Sequence, residues 1–235
     1  SLESTLNRAF PADGPVVELI PDLEAAYWFV ANDGPVFYVQ TDLDAPRGQL
    51  IAIDTTNPAK AHWRTVIPQS ADTLEHVEAA YDGFVAVYLR DAHHQLRRFA
   101  KDGAPLGPIP LPTLGAIPLY FNTLQLNGRA HDDELFFAFW SFLFPVTVYR
   151  YDFARAESDV LYAPPIKLDT SGYVTRQVFA TSQDGTRIPM FLTHREDLPR
   201  DGQNPTLLYG YGGFNIPLTP GFSVSRAVWL EMGGV

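Results

Sequence analysis

The 235-residue chain carries 27 acidic against 17 basic residues, a net charge of -10, and 46% of its residues are hydrophobic. That much apolar surface is ample for a core and excludes a disordered chain, while the acidic balance repels nucleic-acid phosphates and anionic membrane surfaces. With no cysteine in the chain, a disulfide framework, a Cys-based zinc site and a thiol nucleophile are all excluded. No run approaches the roughly 18 to 20 apolar residues that cross a bilayer, and residues 1–10 lack the basic start and apolar stretch of a signal peptide. The compartment stays open between cytoplasm, the favoured one, and periplasm.

From residue 16 to about 162 the chain reads as short strands separated by turns, without a helical period. V-V-E-L-I (16–20), A-Y-W-F-V (26–30), P-V-F-Y-V-Q (35–40) and Q-L-I-A-I (49–53) are rich in β-branched and aromatic residues and predict a four-stranded meander. Asn32-Asp33-Gly34-Pro35 and Asp44-Ala45-Pro46-Arg47-Gly48 supply the turns. The layout returns in 75–81, 83–89 and 95–100, and again in 123–126, 134–140, 146–151 and 159–162. Segments 50–54, 96–100 and 148–152 superpose at a spacing of about 50 residues, which lies in the range of propeller blades. Strand spacing alone suits a β-sandwich equally well.

Ala163-Pro164-Pro165-Ile166 marks a boundary, because paired prolines fix φ and remove backbone donors. Beyond it, 173–181 and 186–193 flank Ser182-Gln183-Asp184-Gly185 as a hairpin, with Pro189 marking an edge or bulge. Residues 196–205 read as a surface loop. Thr206-Leu207-Leu208-Tyr209 reads as a buried strand, ended by the glycine and aromatic knot Gly210-Tyr211-Gly212-Gly213-Phe214-Asn215. The glycines allow positive φ and close backbone approach, so Tyr211 and Phe214 can be aimed just past the strand's carboxyl end, where open α/β sheets bind ligands. Residues 225–232, with Val228 and Met232 at helical spacing, open a helix.

Of the histidines, His93 and His94 are expected in a solvated loop, and His62, His76, His131 and His194 lack ligand spacing, so no metal is expected. Asp132-Asp133-Glu134 reads as a solvated turn. A G-x-S-x-G nucleophile elbow is absent; the nearest string, Gly221-Phe222-Ser223-Val224-Ser225, lacks the closing glycine.

The string T-L-L-Y-G-Y-G-G-F-N (206–215) resembles the oxyanion segment of the prolyl oligopeptidase family of serine peptidases. The resemblance continues through 216–235, includes F-W-S-F-L-F-P-V-T-V-Y-R-Y-D-F (139–153), and takes in 173–195, which looks like the opening hairpin of that family's catalytic domain. It implies a mainly β chain: residues 1–162 as the later blades of a seven-bladed β-propeller, and 163–235 as the start of an incomplete α/β-hydrolase domain. It implies that Tyr211 donates one of two hydrogen bonds to the tetrahedral oxyanion and that Phe214 lines the pocket for the substrate's proline. A neutral phenol is a good preorganised donor, and a flat ring packs well on a pyrrolidine. Tyr209 is expected in the core, and Asn215 to bond its own turn.

By the same resemblance the substrates are short proline-containing peptides, cleaved after proline; no cofactor is expected, and the acidic charge argues against a nucleic-acid or membrane partner. The family's serine lies downstream of position 235, so the chain is expected to be an interior fragment whose partner is the remainder of the polypeptide. Oligopeptidases that cleave after basic residues share Y-G-Y-G but diverge from Gly213-Phe214-Asn215, which favours the proline-specific branch. A non-catalytic propeller binding module is the alternative.

Overall fold

The computed structural model describes residues 8–9, 17–22, 24–120, 123–166, 168–199, 201–214 and 216–235. Asn215 and most of the segment before Val17 therefore lie outside the described residues. The chain is mainly β. Strands β1 (Arg8–Ala9) and β2 (Val17–Glu18) form a small antiparallel pair. Three four-stranded antiparallel meanders follow. The first comprises β3 (Tyr27–Asp33), β4 (Val36–Thr41), β5 (Gln49–Asp54) and β6 (Arg64–Ile67), and the second β7 (Thr73–Ala80), β8 (Gly83–Arg90), β9 (His93–Ala100) and β10 (Pro105–Ile109). After the short pair β11 (Leu119–Tyr120) and β12 (Thr123–Leu124), the third comprises β13 (Leu126–Gly128), β14 (Glu134–Phe139), β15 (Thr147–Asp152) and β16 (Glu157–Tyr162). The hairpin β17 (Tyr173–Thr181) and β18 (Arg187–Arg195) and the helix α1 (Val224–Glu231) complete the elements.

The first meander is composed differently from the sequence expectation. The run 16–20 is not its first strand, because β2 pairs with β1 instead, and the fourth strand is β6, too short and polar at its start to be read as one. The second meander likewise has a fourth strand that its sequence hides, Pro-Leu-Gly-Pro-Ile. β10 bonds only to β9, so its prolines sit on an edge, and the register shifts between Pro105 and Gly107.

The chain forms two compact units. One takes in the described residues up to Tyr88 with Leu96–Ile109 and Gly128–Asp132; the other takes in Leu89–Gln95, Pro110–Asn127 and Asp133–Val235. In the first, the faces of the first and second sheets share a core. Tyr38, Leu50, Ala52, Val66 and Ile67 pack with Leu74, Val77, Phe84, Ala86 and Tyr88. Tyr38 and Phe84 meet edge to face, with centroids 4.9 Å apart. The opposite face of the first sheet buries Val39, Ile51 and Ile53 with Leu19 and Ile20. Because β4 and β5 are covered on both faces, they are continuous apolar runs instead of alternating ones.

Backbone contacts stitch these two sheets together. The Leu74 amide donates to the Arg47 carbonyl at 2.7 Å, and Gln40 Nε2 donates to the Leu74 carbonyl at 3.3 Å. Gly103, at φ +90°, presses so closely on β6 that a Cβ would stand 1.8 Å from the Val66 carbonyl oxygen. Arg97 pairs with Asp72 and lies over the Tyr88 ring at 4.3 Å. At the next turn, Tyr81 and Ala130 form a parallel bridge: the Tyr81 amide donates to the Arg129 carbonyl at 3.1 Å and the His131 amide to the Tyr81 carbonyl at 2.7 Å. Both Tyr81 (φ 54°) and His131 (φ 76°) are left-handed.

In the second unit, Phe137 stacks on its cross-strand partner Tyr149, with centroids 5.3 Å apart, and Arg150 reaches Glu134 at 3.2 Å and Asp159 at 3.1 Å. The expectation of a solvated loop for His93 and His94 is corrected. Asp91 (φ 47°) and Ala92 (φ 62°) make a two-residue turn, so β9 begins at His93 itself. His94 is buried, and its Nδ1 accepts from the Ile117 amide at 2.8 Å, while burial pushes the His93 imidazole below its usual range. The hairpin β17–β18 pairs without a break from Tyr173↔Arg195 to Thr181↔Arg187, so Pro189, opposite Phe179, marks an edge and not a bulge. Gly185 (φ 84°) closes its turn, as the Asp-Gly pair predicts.

Residues 206–209 are corrected as well. They carry no strand ladder, Leu208 is 81% exposed, and Tyr209, expected in the core, is 72% exposed. One parallel bridge holds the segment: the Leu207 amide donates to the Val235 carbonyl, and the Val235 amide to the Pro205 carbonyl, each at 2.9 Å. An apolar run becomes a buried parallel strand only with neighbours on both sides and cover on both faces, and the described residues supply one neighbour. Helix α1 buries Ala227 and Leu230 and leaves Val228 and Met232 exposed.

Two outcomes test this description. Gly103→Ala should destabilise the chain by about 2 kcal/mol or more in urea unfolding, whereas Gly107→Ala, at φ +97° with open space around it, should cost only the roughly 1 kcal/mol of a left-handed alanine. Equal costs would show that the Val66 approach is relaxed in solution. The exposed Leu207, Leu208, Tyr209 and Phe214 should make the chain self-associate, and Leu207→Asp with Leu208→Asp should shift sedimentation toward the monomer; a concentration-independent monomer would contradict this.

Candidate functional site

The knot at 210–214 is positioned by the elements on either side of it. β18 delivers the chain to a turn-rich loop, where Gln203 donates its amide to Asp201 Oδ1 at 2.9 Å and Asn204 Nδ2 donates to the Pro199 carbonyl at 2.6 Å. The Thr206 hydroxyl donates to the Asn204 carbonyl at 3.1 Å, and the bridge to Val235 then fixes the direction of the extended segment. After the knot, Pro220 and Gly221 are buried. Gly221 lies on the indole of Trp140, where a Cβ would be 3.2 Å from Cε2. Trp140 is in turn held by reciprocal backbone bonds with Ala116, 3.0 and 3.1 Å.

Within the knot, Tyr211 folds back over its own chain. Its hydroxyl would be 3.2 Å from a Cβ placed on Gly213, so any side chain there would displace the phenol. The Ile216 amide closes the turn by donating to the Gly213 carbonyl at 3.2 Å. Tyr211 is 48% exposed. Phe214 adopts φ 54°, an uncommon conformation for an aromatic residue, and stands 91% exposed. Tyr211 and Phe214 share one turn, and Tyr209 stands away in the extended segment.

Chemically, the knot offers a neutral hydrogen-bond donor and an unpacked aromatic face. The serines of the nearest elbow-like string do not form an activated nucleophile: Ser223 and Ser225 bond each other at 2.8 Å at the start of α1. The histidines are dispersed. His76 pairs with Glu78 at 3.2 Å, His131 with Asp82 at 3.2 Å, and His194 Nδ1 lies 2.6 Å from the Arg195 carbonyl. Among the described residues no group of three or more His, Asp and Glu side chains could hold a metal ion. Sequence reasoning missed Trp140 as the support beneath Gly221; the aromatic density of F-W-S-F-L-F was the available signal.

Residues 3–164 match the family described as the prolyl oligopeptidase N-terminal β-propeller domain. The chain is 37% identical over 204 residues to a prolyl endopeptidase of Elizabethkingia meningoseptica, covering 87% of this chain and 28% of that protein. It is 34% identical over 219 residues to the prolyl endopeptidase of Elizabethkingia miricola, covering 93% and 30%. A solved structure from a study of two prolyl endopeptidases and their inter-domain dynamics superposes with a TM-score of 0.83 at 34% identity, covering 95% of this chain and 32% of that one. Prolyl oligopeptidase B of Galerina marginata, bound to a macrocyclization substrate, superposes with a TM-score of 0.78 at 27% identity, covering 92% and 30%. The chain thus spans about 30% of the length of the relatives it matches. With three four-stranded meanders inside the matched propeller segment, the chain belongs to the prolyl oligopeptidase family.

Proposed function

We propose that this chain is part of a serine endopeptidase that cleaves short peptides after proline, with residues 1–162 in its propeller and 163–235 opening its α/β-hydrolase domain. In this reading Tyr211 donates to the developing oxyanion and Phe214 packs on the substrate's proline ring. The observation that carries it is the knot: a phenol held over Gly213 and an aromatic held out of the core share one turn in a member of this family. The prolyl endopeptidase relatives support the reaction class, and Gly213-Phe214 supports the proline-specific branch.

The division of labour follows from the charge that develops during acyl transfer. Attack on the scissile carbonyl makes its oxygen negative, and a preorganised donor stabilises that oxygen more than the neutral ground-state carbonyl. A phenol meets this need without contributing a charge of its own. The nucleophile and base come from elsewhere in the polypeptide, because an oxyanion donor alone stabilises a transition state that never forms.

The test uses the complete polypeptide that contains this segment. Tyr211→Phe keeps the ring and removes the donor, so kcat on a proline-containing chromogenic peptide should fall by a factor of about 10² to 10³, roughly 3 to 4 kcal/mol of transition-state stabilisation, with KM nearly constant. Tyr209→Phe is the control and should leave kcat almost unchanged. A silent Tyr211→Phe beside a damaging Tyr209→Phe would reverse the assignment. Turnover by the 235-residue chain alone, abolished by a serine-directed inhibitor, would place the nucleophile within it.

A further inference from the structure

The hairpin β17–β18 meets two of the sheets at two points, and both contacts arise from one cross-strand pair. Gln177 and Phe191 stand opposite each other in the register, so their side chains leave the ribbon on the same face. Gln177 Nε2 donates to the Asp91 carbonyl at 2.5 Å, in the turn between β8 and β9. Phe191 packs on Phe142, with centroids 5.6 Å apart and planes tilted by 54°, in the loop between β14 and β15. Each is the turn from second to third strand of its sheet, in two consecutive sheets.

The turn that Gln177 grips is unusual in itself. Asp91 and Ala92 are both left-handed although neither is glycine, a geometry that costs about 1 kcal/mol or more per residue. Such strain persists where the surroundings over-determine it. The loop that Phe191 grips is also engaged from a second side chain, since the Arg226 guanidinium of α1 lies 5.4 Å from the Phe142 ring. Towards the tip of the ribbon, by contrast, Phe179 and Ile188 remain exposed.

We infer that Gln177 and Phe191 form a two-point clasp that seats the hairpin across corresponding turns of two consecutive sheets, so that release of the hairpin and loosening of both turns are one event. The hydrogen bond and the ring contact sit on one cross-strand pair of a continuous nine-pair ladder, so lifting the ribbon as a body breaks both. The inference goes beyond the peptidase reading and does not depend on it.

Hydrogen–deuterium exchange on the 235-residue chain tests it. Gln177→Glu keeps the side chain's size, removes the donor and sets a carboxylate against a carbonyl oxygen. Exchange should rise about tenfold in 89–95 and, in the same variant, in 141–144, which Gln177 does not touch, with no change in β4 or β5. Gln177→Lys restores a donor and should return both segments toward the parent rates. Faster exchange at 89–95 alone, or failure of the lysine to restore it, overturns the clasp. If Gln177→Glu loosens β4 and β5 as well, Phe191→Leu decides: exchange at 89–95 must rise although no contact there has been altered, and unchanged exchange overturns the clasp.

Discussion

A four-stranded meander cannot hide its apolar side chains by itself, and the structure depends on how each sheet solves that problem with the next one. The first and second sheets do so by close stacking. Tyr38 and Phe84 interlock at the shared core, while Gly103 lets the turn after β9 reach the β6 backbone. The absence of a side chain at 103 therefore sets the spacing between sheets as much as the large residues do. Central strands pay no attention to solvent in this arrangement, and β4, β5 and β8 are buried nearly from end to end. Outer strands have freedom that central strands lack, which is why β10 tolerates two prolines.

The same requirement governs the segment that leads to the knot. Residues 206–209 have the composition of a buried parallel strand, and they have one parallel partner, at Val235. The knot does not wait for the rest of a sheet to acquire its form. Tyr211 lies close over Gly213, Phe214 takes a left-handed φ, and Gly221 rests on Trp140.

Much of this was legible in the sequence. The central strands of each meander declared themselves through β-branched and aromatic runs, and the Asp-Gly turn of the long hairpin through Gly185. What was missed lay where local chemistry and tertiary context disagree. β6 and β10 are edge strands, whose short or proline-bearing sequences carry little strand signal. His93 and His94 looked solvated because Asp91-Ala92 was not read as a complete two-residue turn without glycine. Tyr209 looked buried because burial was inferred from composition, and composition does not count neighbours. The tyrosine and phenylalanine of the knot were singled out by resemblance, and their local geometry was beyond what residue types could specify.

The bridge between Tyr81 and the 129–131 segment has a consequence for how such a chain diverges. Its two bonds run from main chain to main chain, and nothing in them depends on a phenol or an imidazole. What the bridge itself asks of positions 81 and 131 is that the backbone tolerate a left-handed turn, which asparagine, aspartate or glycine would meet with less strain. A seam of this kind can persist through long evolutionary drift while its residues turn over completely. It would then leave no trace in an alignment, although it would still be visible in the backbone angles.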